Sequence, residues 1–209
     1  MKIRLQEVHA SLVHLPISLL PVAIGADVLG RATGNRGLLE TARRTIGVAA
    51  VGAAVSGVSG LIAQEEVEVR GETLDMLITH RNINIAATLA TGLMAVWRQR
   101  HYRPTLGYLA LGLAGVGVLA YSAYLGGTLV YKHGVGVATA GGQARENPPV
   151  LGAPGETGAF ARDAAMDLVH GVKHLAQELA QGKIVPSLTD GRAAHGTAVR
   201  KHRESTASA

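Results

Sequence analysis

Four stretches of this 209-residue chain are apolar enough over about 20 consecutive residues to cross the hydrocarbon of a bilayer as helix. They fall at about 10–30, 45–63, 74–97 and 105–131, and inside a membrane such runs have to be helical because every backbone polar group must be satisfied within the segment. The short connections between them predict an all-α, integral membrane four-helix up-down-up-down bundle over residues 1–137. Residues 138–209 differ in kind. They are polar and rich in Gly, Ala and Pro, which predicts a mostly irregular extramembrane tail with one amphipathic helix at about 158–181, carrying Phe160, Ala164, Leu168, Leu175 and Leu179 at helical spacing. From Gly182 onward the composition predicts disorder unless a partner orders it.

The first apolar run lacks a small-residue cleavage motif and exceeds a signal-peptide core, so it is expected to be retained. Arg31, Arg36, Arg43, Arg44, Arg98, Arg100 and Arg103 flank one side of the spans. Lys2, Arg4, Arg70, Lys132 and Arg81 flank the other, seven against five. That bias predicts extracytoplasmic N- and C-termini. A formal charge of +5 carried in loops and tail serves orientation and solubility, and nucleic acid is not an expected partner.

The chain has no cysteine, which excludes disulfides, thiolate zinc sites, iron–sulfur clusters and covalently attached c-type haem. No phosphate-binding glycine loop, GxSxG serine or paired hydrolase carboxylates occur, so a hydrolytic enzyme is not expected; a redox or structural subunit fits the chain better than a stand-alone catalyst. Any cofactor has to rest on histidine, carboxylate, methionine or tyrosine.

An alternating bundle brings the start of the first and third helices and the end of the second and fourth to one side. That side holds His9 and His14, His80, and His133 just beyond the fourth helix. At 1.5 Å per residue His14 and His80 lie roughly 6 Å inside the boundary. Ionisable groups at that depth are costly and turn toward a partner, a cavity or a cofactor. Without thiolates the candidates are b-type haem, held by two axial imidazoles, and zinc or copper, held by three or four ligands. Gly52, Ser56 and Gly60 on the second helix, and Gly112, Gly115, Gly117, Gly126 and Gly127 on the fourth, permit either close helix contact or a flat cofactor against the backbone. The acidic loop Glu65, Glu66, Glu68, Glu72 and Asp75 is either a solvated surface or a source of carboxylates that orient imidazoles or pair with Arg81. Arg81 itself suits a haem propionate, or snorkels. His170 and His174 share a face of the tail helix as a surface pair, and His101, His195 and His202 have no assigned role.

At LVHLPISLLP, THRNINIAA and YLGGTLVYKHGVGV the sequence resembles a bacterial family of four-helix membrane proteins catalogued only as a domain of unknown function. The resemblance covers about residues 9–137. It carries over His9, His14, His80 and His133, and implies that Gly126, Gly127 and Gly134 belong to the same site. Relatives of this type occur joined to Rieske-type or cytochrome c domains, which implies electron transfer at the outer membrane face. The chain departs from the family pattern at Leu15, where an aromatic residue is common, and in its tail. The expectation is a membrane electron-transfer subunit that binds b-type haem through a pair drawn from His14, His80, His9 and His133. Its partner would be a separate Rieske-type or c-type cytochrome protein or a larger respiratory complex. Two alternatives stand beside it: a cofactor-free anchor or assembly subunit, and a zinc or copper protein.

Overall fold

The computed structural model describes residues 3–137, 150–151 and 157–189. The irregular segment predicted at 138–149 and the histidines at 195 and 202 lie outside the described residues. A two-residue strand β1 (Ile3–Arg4) pairs antiparallel with β2 (Val150–Leu151), and every other regular element among the described residues is helical. The predicted first span is two helices, α1 (Leu5–Leu12) and α2 (His14–Thr33). Pro16 explains the break: it has no N–H to offer the Leu12 carbonyl, and its ring crowds the preceding turn. Then follow α3 (Arg36–Ala63), extended by a 3-10 turn over Gln64–Glu66, α4 (Glu72–Arg100), α5 (Leu106–Tyr131), α6 (Thr157–Ala180) and α7 (Pro186–Thr189).

Local chemistry sets the boundaries. Gly34 closes α2 at φ 69°, a left-handed conformation that glycine enters without a Cβ penalty. The Asn35 side chain then accepts from Leu38 N at 3.1 Å to start α3, and Thr105 caps α5 by accepting from Tyr108 N at 3.2 Å.

Among the described residues three segments are long and apolar enough to cross a membrane: α1–α2 over Glu7–Thr33, α3 with its extension over Arg36–Glu66, and α5. The 29 residues of α4 are sufficient in length, but Glu72, Asp75, His80, Arg81, Asn82, Asn84 and Arg98 lower its apolarity below the other three. Helix α2 packs on α3, α3 on α4, α4 on α5, and α5 returns to α2. Leu20, Ala23, Ile24, Ile46, Met94, Ala95, Tyr108 and Leu109 form the shared core. Close approach depends on absent side chains: a Cβ on Gly30 would meet Leu39 at 3.0 Å, one on Gly52 would meet Leu15 at 2.9 Å, and one on Gly112 would overlap Ile24.

One end of the helices is held by a buried ion pair. Arg98 and Asp27 both have fully buried side chains and meet at 2.8 Å. Arg98 Nε also donates to the Asp27 carboxylate at 3.0 Å, Nη2 donates to Leu39 O at 2.9 Å, and Nη1 donates to His101 O and Tyr102 O. Every guanidinium N–H therefore has an acceptor, and one side chain ties α2, α3, α4 and the α4–α5 connection together. Removing one member leaves a buried charge unpaired, a loss of about 3–5 kcal/mol. Arg98→Ala and Asp27→Asn are each expected to lower the melting temperature of the detergent-purified protein markedly. The double replacement by Met and Leu is expected to recover much of that loss, read by the same thermal scan.

Candidate histidine site

At the other end, two imidazoles are held in matching ways. His9, on α1, reaches α3, where its Nδ1 lies 3.1 Å from Ser56 O and 3.1 Å from Ser59 Oγ. His80, on α4, reaches α5, where its Nδ1 lies 3.0 Å from Ser122 O and 3.2 Å from Ser122 Oγ. Four residues after each accepting serine stands a glycine against the ring. A Cβ on Gly60 would sit 2.9 Å from His9 Cε1, and one on Gly126 would sit 3.0 Å from His80 Cε1. The geometry has a simple cause. A helical carbonyl already accepts from the N–H four residues on, so an outside donor can reach it only past that residue, and glycine leaves the way open.

A backbone carbonyl can only accept, so each Nδ1 carries the proton and each Nε2 is left with its lone pair. This is the tautomer that suits a metal-ligating or proton-accepting imidazole. Asn84 braces the second imidazole: its amide donates to His80 O at 2.8 Å and to Ser122 Oγ at 2.7 Å, and lies 3.2 Å from His80 Nε2.

The other predicted site residues are placed elsewhere. His14 is exposed, with Nδ1 3.3 Å from Ser11 O. Five residues after His9 in a helical path put it roughly 140° around, on a different face. His133 pairs through Nδ1 with Thr73 Oγ1 at 3.1 Å, two turns from His80 along α4. Gly134 and Gly136, at φ 65° and 78°, turn the chain out of α5, helped by a hydrogen bond from Val135 N to Leu129 O at 2.9 Å. Their role is conformational. A Cβ on Gly127 would meet nothing within 4 Å, whereas one on Gly126 would meet the His80 imidazole. Among the described residues no three of His, Asp and Glu converge closely enough to hold a metal ion.

Arg81 turns away from the histidines toward the tail. Its Nη2 pairs with Glu178 at 2.6 Å and its Nη1 donates to Gln64 Oε1 at 3.1 Å. Around it the neighbouring polar residues also grip the tail: Ser187 N donates to Thr79 Oγ1 at 3.0 Å, and the Asn82 amide donates to Lys183 O at 3.1 Å and Ile184 O at 2.7 Å. His174 is exposed on the tail helix yet pairs with Glu65 at 2.9 Å. An open cleft of about 460 Å³ lies beside these contacts, lined by Glu65, Leu77, Arg81, His174 and Glu178 among others.

Sequence reasoning missed Ser59, Asn84 and Ser122, and read Ser56 and Gly60 as small residues for close helix contact or a flat cofactor rather than as the acceptor and the seat of His9. The signal was present: Ser-x-x-x-Gly occurs at 56–60 and again at 122–126. Gly126→Leu is expected to drive His80 off the Ser122 carbonyl and remove its Nδ1–H signal in the nitrogen-15 NMR spectrum of histidine-labelled protein. Gly127→Leu is expected to leave that signal in place.

No curated protein and no solved structure matches the chain. A family model does, over residues 6–139, which includes both serine–glycine pairs and all four bundle-end histidines but stops before α6. The chain belongs to the family described as predicted membrane protein (DUF2231).

Proposed function

We propose that this chain is a membrane electron-transfer subunit in which His9 and His80 hold a b-type haem through their Nε2 atoms. The observation that supports it is the matched pair itself: two imidazoles on different helices, each with Nδ1 tied to a serine carbonyl and each seated on a glycine. The donor set suits haem iron, which takes two neutral imidazoles, better than zinc or copper, which prefer three or four ligands. The iron of such a group would supply a reversible one-electron couple. The chain's own contribution is to fix both tautomers, to keep water from the rings, and to set the ligands' basicity through the serine hydrogen bonds. Asn84, whose amide lies 3.2 Å from His80 Nε2, is the side chain that would have to turn aside for that atom to hold such a group.

In this reading α1–α2, α3, α4 and α5 cross the bacterial inner membrane alternately, as a four-helix up-down-up-down bundle with extracytoplasmic termini. The polar residues in the interior of α4 are compatible with a fourth crossing because each has a partner: Arg98 with Asp27, His80 with Ser122, and Arg81 with Glu178. The electron partner is a separate Rieske-type or c-type cytochrome protein, or a larger respiratory complex.

A specific observation favours a second reading, a cofactor-free anchor subunit. Both Nδ1 atoms already have acceptors on neighbouring helices, so the histidines also serve as staples between α1 and α3 and between α4 and α5. Oxidised and dithionite-reduced spectra of protein expressed with ample haem, with a pyridine haemochrome assay on the same sample, separate the two. The haem reading expects Soret and alpha bands that vanish in His9→Ala and His80→Ala and persist in His14→Ala and His133→Ala. A blank spectrum from folded protein overturns it and leaves the anchor.

A further inference from the structure

Helix α6 carries apolar residues on its outward side as well as on the side that packs against the protein. Its protein-facing side mixes half-buried Phe160, Ala164, Leu168 and Leu175 with polar contacts: Asp167 is buried, Glu178 is ion-paired to Arg81, and Gly171 lies against the Leu61 carbonyl with its own carbonyl accepting from Gln64 Nε2 at 3.2 Å. Its outward side is apolar. Met166 is 49% exposed, Val169 67%, Val172 49% and Leu179 46%. At about 100° per residue these four, with Ala176, form one continuous stripe opposite Asp167, Gly171 and Glu178. A third sector holds His170, His174 and Gln177, all exposed and polar. Arg162 and Lys173 sit on the outward face, where their long stems can lie along apolar groups while their charges reach a phosphate layer.

We propose that α6 is an in-plane membrane helix whose Met166–Val169–Val172–Leu179 stripe is sunk in the lipid interface of the leaflet at the histidine end. Three sectors require three surroundings, and a bilayer surface supplies the two that the protein does not: acyl chains for the stripe and water for the polar sector. The level is right as well. Gly171 rests on Leu61, at the last turn of α3, just past the point where that helix's outward valines Val48, Val51, Val55 and Val58 come to an end. The apolar surface of the membrane-spanning segment therefore continues onto α6 instead of stopping beneath it. Lipid contact would press α6 against the α3 end, where Gln64 and Arg81 donate to it and Glu65 pairs with His174 to complete the clamp.

The chain has no cysteine, so single cysteines can be spin-labelled without background. Full-length V169C and Q177C, reconstituted in phosphatidylcholine–phosphatidylglycerol nanodiscs, would be compared by collision with oxygen, which partitions into lipid, and with a water-soluble nickel chelate. The proposal expects the oxygen-to-nickel accessibility ratio to be several-fold higher at V169C than at Q177C, with V172C matching V169C. Equal ratios at the two positions would overturn it by placing the stripe in water. Labels at V169C and V172C that are shielded from both reagents would overturn it too, since a second copy or another protein would then be covering the face.

Discussion

The arrangement of the helices depends on the Arg98 guanidinium being completely satisfied where no water can reach it. Asp27 neutralises it, and the carbonyls of Leu39, His101 and Tyr102 take its remaining protons. A fully buried charge has few alternative partners. Its fork geometry therefore fixes the mutual placement of α2, α3 and α4 at that end. With this end fixed, the opposite ends of the same helices are brought into a repeatable register, and there His9 meets α3 and His80 meets α5.

The histidine end uses a different economy. Each imidazole is held by a carbonyl that is already engaged in its own helix, and access to that carbonyl depends on a missing Cβ four residues later. The arrangement fixes tautomer and orientation without any charged partner beside the ring. It also explains why the polar cluster Thr79, His80, Arg81 and Asn82 can serve two purposes on one turn of α4. His80 faces α5, while its three neighbours face outward and hold α6, the turn after it and α7. The family-matched region thus ends in a surface built to receive this chain's own tail, although the tail lies beyond the family match.

Much of the helical organisation was legible because its cause is local. Apolar length, proline and caps act within a few residues, and the positions of α3, α4 and α5 follow from them. The split of the first span at Pro16 was legible too, had the missing donor been weighed against the apolar run. The histidines were found by type, since an imidazole at membrane depth is conspicuous in any sequence. Their grouping was only half legible. That His9 and His14 cannot share a face follows from a five-residue spacing, but that His133 pairs with Thr73 depends on how the end of α5 meets the start of α4, 60 positions away.

What the sequence determined by itself is membrane-compatible helix, its approximate bounds, and the exclusion of thiolate chemistry by the absence of cysteine. These depend on composition and short-range geometry, which the chain carries wherever it goes. The tertiary structure decided which imidazoles meet, that Arg81 looks to Glu178 and not to the histidines, and which side of α6 is turned outward. Those outcomes join residues 40 to 110 positions apart, and a hydrogen bond at that separation depends on the packing of helices that no local pattern specifies.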